Sequence, residues 1–211
     1  MPVKVTFTWK IRGSLHIGTG MSRLGDVDRI IRLDRQGEPA IEGEQLKGAI
    51  RGSAERLIRW LGAASEPKCD SYPQHPVMRR LFAPRPDALV RFEAAQLKNT
   101  LTLNRVASTS IHHDSGTAQD KTLRVIETVQ RGATFSCCVS LYGDWSAAQA
   151  RHDILFLCAA VLCTDSIGSR AGSGFGVVEC ESIACSVPDW PDIASPQTVQ
   201  LLERVFGEVT A

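Results

Sequence analysis

At 211 residues and 23.0 kDa, with 43% hydrophobic and 22% charged residues, the chain can bury a core and is neither a disordered tail nor a disulfide miniprotein. A net charge of +1 excludes a uniformly basic nucleic-acid binder. The average hides a gradient: residues 1–60 hold 11 Lys+Arg against 7 Asp+Glu and residues 152–211 hold 2 against 8, which predicts one basic and one acidic face.

Strict alternation opens the chain. Val3, Val5, Phe7, Trp9 and Ile11 interleave with Lys4, Thr6, Thr8, Lys10 and Arg12, the period of a half-buried strand. Leu15 and Ile17 resume the signal before Gly18-Thr19-Gly20, and a polar stretch over 21–29 carries Asp26 and Asp28. Asp34-Arg35-Gln36-Gly37 reads as a hairpin turn, with a brief strand at Ala40-Ile41. Leu46, Ile50, Leu57, Ile58 and Leu61 then recur at helical spacing over about 44–61. Five prolines make 62–88 an irregular insertion. Val90, Phe92 and Ala94 alternate as a strand, 98–122 reads as an extended hairpin or a disordered excursion, and strands return over 123–129 and 135–141. Asp144 or Ser146 caps a second helix with Ile154, Leu155, Cys158, Val161 and Leu162 on its apolar face. A glycine-rich segment spans 168–176 and a closing strand runs through Val177, Val178, Cys180 and Ile183. A proline-rich tail over 186–211 ends in a short amphipathic helix. The order is a decorated β-α-β-β-α-β, which predicts an α+β, ferredoxin-like domain over 1–185 with an antiparallel sheet.

The start has no apolar leader, no run is long enough to span a membrane, and seven cysteines sit in irregular, partly apolar contexts. These features predict reduced thiols and a cytoplasmic protein with no membrane partner.

Four features carry chemistry. Gly168, Gly172, Gly174 and Gly176 permit backbone conformations closed to other residues and expose N–H groups to phosphate oxygens, with Ser169, Arg170 and Phe175 among them. The bland alternative is a tight turn before a strand. Lys47 and Arg51, four apart near a helix start, form an anion-binding pair or, alternatively, a solvated face paired with Glu44 and Glu55. Asp26 and Asp28 can hold Mg²⁺ through water or orient a nucleophile, although loop aspartates more often cap turns. Cys69 with His75, and His112 with His113 and Asp114, fall short of a zinc set.

Gly13-Ser14-Leu15-His16-Ile17-Gly18, the run from Gly37-Glu38-Pro39 into Leu46-Lys47-Gly48, and the glycine segment together resemble the signatures of the RAMP superfamily. Within it the likeness is to the backbone subunit of type III CRISPR effector complexes. Thr102-Leu103-Asn104-Arg105 through Val125-Ile126-Glu127-Thr128-Val129 resembles that subunit's thumb hairpin and the strand after it. The resemblance implies a core related to the RNA-recognition motif that stacks head to tail with like subunits along guide CRISPR RNA, beside other effector subunits. It also implies cleavage of bound single-stranded target RNA. Asp28 falls on the family's catalytic aspartate and its Mg²⁺, with Asp26 as the alternative if the register slips. His16, Lys47, Arg51 and the glycine segment (Ser169, Arg170, Gly172, Gly174, Phe175) fall on guide-RNA contacts, and zinc is not expected. Three rival readings accompany it: a metal-independent guide-RNA processing nuclease with His16 as general acid or base, a non-catalytic structural RNA-binding subunit, and, outside the superfamily, a generic ferredoxin-like interaction domain that binds no RNA.

Overall fold

The alternation of the opening segment is realised as β1 (Val3–Ile11), whose Val5, Phe7, Trp9 and Ile11 are fully buried; Phe7 and Trp9 meet edge to face at 4.7 Å. The computed structural model describes residues 2–60, 76–83, 90–97, 103–143, 148–169 and 171–187. After β1 come β2 (Ala40–Ile41), α1 (Gly43–Trp60), α2 (Pro76–Phe82), β3 (Val90–Phe92), β4 (Ala95–Leu97), β5 (Leu103–Ser108), β6 (Arg124–Val129), β7 (Thr134–Leu141), α3 (Ala148–Leu162) and β8 (Val178–Cys185).

β1 lies between β8 and β7, antiparallel to both. β3 and β4 pair successively with the far edge of β7, and β2 adds to β4. Taking β3 and β4 as one interrupted strand, α1 and α3 are the two crossovers of a β-α-β-β-α-β unit, and the last strand lies beside the first. This is the expected α+β, ferredoxin-like arrangement. Leu46, Ile50, Ala54, Leu57 and Ile58 of α1 join the inward side chains of β1 and β7 in one core. Most of α3 is buried, since Ile154, Phe156, Leu157, Cys158, Ala159, Ala160 and Val161 leave no polar face. Its buried Asp153 is held by Arg80 of α2, Nη2 to Oδ1 at 2.8 Å, so the charge is paired.

Four expectations are corrected. The 62–88 insertion is not irregular throughout: α2 forms because Pro76 suits a first helical position and Val77, Met78, Leu81 and Phe82 share a buried stripe. The hairpin expected over 98–122 extends to Val129, because β5 pairs with β6 from Leu103↔Val129 to Ser108↔Arg124; the strand expected over 123–129 is its return arm. Leu162, placed by spacing on the apolar face of α3, is 41% exposed at the helix end. Finally, the charge gradient does not simply yield two opposed faces. The fold sets β8 beside β1, so Lys10 pairs with Glu181 at 3.3 Å and Arg12 pairs with Glu179. Arg56 likewise meets Asp165 at 3.3 Å.

Cys137 and Cys158 are buried, and burial pushes the Cys137 thiol up to about 12 and that of Cys158 in the same direction. Both are poor nucleophiles for that reason. No helix among the described residues is long and apolar enough to cross a membrane. Asp144, Ser146, Cys69, His75 and the tail helix lie outside the described residues.

Candidate nucleic-acid interface

The polar chain that follows β1 is stitched to the return arm of the hairpin. Leu15 and Val129 exchange backbone hydrogen bonds at 3.0 and 2.8 Å, Asp28 N donates to Val125 O at 2.9 Å, and Glu127 N donates to Arg29 O at 3.0 Å. Strand β6 therefore carries β5 on one edge and, on the other, residue 15 at Val129 and residues 28–29 at Val125 and Glu127. Glu127 is 7% exposed, and its carboxylate accepts from Ile31 N at 3.2 Å and faces Arg23 Nη1 at 3.4 Å. One buried carboxylate thus closes the loop that carries both aspartates. The turn before β2 is built as expected, with Asp34 Oδ1 accepting from Gln36 N and Glu38 N.

These contacts, α1 and the glycine segment enclose a cleft of about 780 Å³. His16, Gly18 and Gly20 form one wall, Asp28 and Arg29 a second, Gln45, Gly48 and Ala49 of α1 a third, and Ser166, Gly168 and Ser169 a fourth. His16 is 1% exposed, and its Nδ1 lies 2.7 Å from Glu127 O. A carbonyl only accepts, so that bond places a proton on Nδ1 and leaves Nε2 of the neutral ring as an acceptor. Arg29 is exposed and has no acidic partner among the described residues, so it brings an uncompensated positive charge to the cleft.

The two aspartates differ. Asp28 lines the cleft, and its Oδ2 accepts from Val125 N at 2.7 Å, fixing the carboxylate against the return arm of the hairpin. Asp26 points to the hairpin, bound by both Arg105 guanidinium nitrogens at 2.7 and 3.0 Å and by Arg23 at 3.2 Å. The hydrogen bond from Arg23, with Arg105 beside it, holds Asp26 below the usual carboxylate range. The structure does not bring Lys47 and Arg51 to this cleft. Lys47 Nζ donates to Ala83 O at 2.9 Å, just past the end of α2, and Arg51 pairs with Glu55 at 2.8 Å. The helix presents Gln45, Gly48 and Ala49 instead, and a Cβ on Gly48 would meet open space.

The glycine segment divides into two parts. Gly168 (φ +87°) and Gly176 (φ +70°) sit against backbone: a Cβ on the first would come 2.6 Å from His16 O, and one on the second would overlap the Ile167 carbonyl. Two of the amides expected to cradle phosphate are spent internally, Ser169 N on His16 O and Gly176 N on Ser14 O. Gly172 and Gly174 border open space, Phe175 is half-buried, and Arg170 lies outside the described residues. Ser169 Oγ is buried with no hydrogen-bond partner.

The outward face of the sheet offers no stacking platform. Its positions on β1 and β7 are Lys4, Thr6, Thr8 and Lys10, then Thr134, Ser136, Cys138 and Ser140, with no aromatic residue among them. RNA-recognition motifs stack bases on aromatics of that face, so the cleft is the better candidate. For Mg²⁺ the protein supplies one cleft carboxylate, since no group of three or more His, Cys, Asp or Glu comes together among the described residues. That fits a cation held by Asp28, water and substrate phosphates rather than by a protein cage. Arg29, Gln45, Gly48 and Glu127 were missed by sequence reasoning. The signal for Glu127 was a lone carboxylate among the apolar Val125, Ile126 and Val129 of β6; Arg29 had none beyond its place next to Asp28.

Residues 9–179 match the model of the RAMP superfamily. No curated protein matches the chain. Among solved structures, it resembles a chain of the type III-B Cmr-beta complex in the apo state, with 13% identity and a TM-score of 0.60, covering 84% of this chain and 96% of that one. A chain of type III-B Cmr-beta bound to cognate target RNA is similar at 17% identity and a TM-score of 0.60; 87% of this chain aligns, spanning 60% of that one.

Proposed function

From the premise that this chain belongs to the RAMP superfamily, we propose that it is an RNA-binding subunit of a type III CRISPR effector complex. Guide RNA lies with its backbone in the cleft, and complementary target RNA is cleaved at Asp28. The observation that carries this reading is the cleft itself, where Arg29, without an acidic partner among the described residues, the nearly buried His16 and the Asp28 carboxylate converge beside a glycine-rich wall. Its partners are guide CRISPR RNA, single-stranded target RNA and neighbouring effector subunits, including like subunits stacked head to tail.

In this reading base pairing between guide and target supplies sequence, while protein groups contact backbone. The hairpin, whose return arm holds Asp28, unstacks one target nucleotide, freeing its phosphodiester for in-line attack by the neighbouring 2′-hydroxyl. A 2′-O–P bond forms, the P–O5′ bond breaks, and the proton passes to the leaving oxygen through solvent. Asp28 orients the reacting groups from a carboxylate pinned by Val125 N. Bound Mg²⁺, held by Asp28 and phosphates, would supply charge neutralisation at the phosphorus.

Binding of single-stranded RNA across a salt series tests the assignment. Arg29→Ala is expected to weaken binding and reduce the log–log salt slope by about 0.7, one counterion-release contribution. An unchanged slope would remove Arg29 and this cleft from the RNA path.

A further inference from the structure

Two polar atoms of the cleft have no partner among the described residues. In the neutral ring His16 Nε2 is left as an acceptor by the 2.7 Å contact of Nδ1 with Glu127 O, and Ser169 Oγ is buried without a hydrogen bond. Their backbones are tied together, Ser169 N donating to His16 O at 3.2 Å. The surroundings are cut to seat the ring. A Cβ on Gly18 would come 2.8 Å from Nε2, and one on Gly168 would come 2.6 Å from His16 O. A buried hydroxyl without a partner is costly, and beside it a ring nitrogen on a nearly buried histidine is open to the cleft, so the pair suits a ligand group that both donates and accepts.

We propose that His16 Nε2 and Ser169 Oγ together receive the 2′-hydroxyl of one ribose, making this pair the element that distinguishes RNA from DNA. The hydroxyl donates its proton to Nε2 and accepts from the Ser169 hydroxyl; deoxyribose leaves both atoms desolvated and unpaired. This rests on the reading of the cleft as an RNA site. A site built to hydrogen-bond a hydroxyl discriminates against the analogue that lacks it more strongly than an apolar pocket does.

The test compares binding of one single-stranded RNA, the DNA of the same sequence, and RNAs carrying single 2′-deoxy substitutions walked along the strand, all to the full chain at fixed salt. Wild type is expected to prefer RNA over DNA by about 10- to 100-fold, with one 2′-deoxy position carrying most of the loss. Ser169→Ala removes only an unpartnered hydroxyl, so its melt should match wild type while RNA affinity falls and DNA affinity stays. Gly18→Ala should abolish the preference by setting a methyl against Nε2 with the histidine retained. RNA and DNA binding equally to wild type would overturn the inference and leave the RNA-site reading standing. A Ser169→Ala variant that loses RNA and DNA affinity alike would overturn the inference too. Binding of neither nucleic acid would overturn both.

Discussion

Asp28→Asn is expected to lower target-RNA cleavage at least about 100-fold while the hairpin stays anchored. Asparagine keeps an oxygen that can accept from Val125 N, now 2.7 Å from Asp28 Oδ2, but removes the charge. Losses of about 10²- to 10³-fold accompany removal of a single group that stabilises a transition state electrostatically. Asp28→Ala should cut cleavage as deeply and also speed amide exchange at Val125, because the acceptor is gone. Asp26→Asn should leave cleavage near wild type, since that carboxylate is committed to Arg105 and Arg23. The measurement is target cleavage by the reconstituted ribonucleoprotein, with exchange at Val125 read alongside. Full activity in Asp28→Asn would sink the assignment. Cleavage that persists in a chelator and disappears in His16→Ala would transfer the chemistry to the histidine.

Glu127→Ala is expected to cost about 2 kcal/mol, lowering Tm by about 4–8 °C for a domain of this size. The carboxylate is nearly buried and accepts the Ile31 amide, so its removal strands a buried donor and opens space beneath the aspartate loop. Cleavage should fall with it, because Asp28, Arg29 and His16 are all hydrogen-bonded to the 125–127 stretch of β6. Glu127→Gln retains an acceptor for Ile31 N and should recover most of the stability. A melt unchanged in Glu127→Ala would show that the loop is held by its backbone bridges alone.

How far the site was legible follows from where its information lies. Local periodicity was enough for β1, α1 and the order of crossovers, since alternating and helical spacings report directly on burial. The helix α2 was hidden because prolines dominate its neighbourhood, although Pro76 itself opens it. Lys47 and Arg51 were correctly placed on one helix with a shared side, but spacing cannot say which neighbour that side meets; tertiary packing gave Lys47 the Ala83 carbonyl and left the cleft to Gln45, Gly48 and Ala49. Asp28 was separable from Asp26 only by the resemblance, whereas the structure separates them by partner: Val125 N for one, Arg105 for the other. The roles of Arg29 and Glu127 depend on a bridge between Arg29 and Ile126, residues far apart in the chain, and no local pattern encodes such pairing. The two structural glycines owe their necessity to the backbone of His16 and Ile167, again a matter of approach rather than of motif.

RNA is expected in the cleft and not on the outward face of the sheet. Photo-crosslinking of the full chain to single-stranded RNA bearing 4-thiouridine, followed by peptide mapping, tests this most directly. Crosslinks are expected within 16–20, 28–29, 45–49 and 166–169, the four walls of the cleft. Crosslinks concentrated on Thr6, Thr8, Ser136 and Cys138 of the sheet, with the cleft walls unlabelled, would contradict that placement.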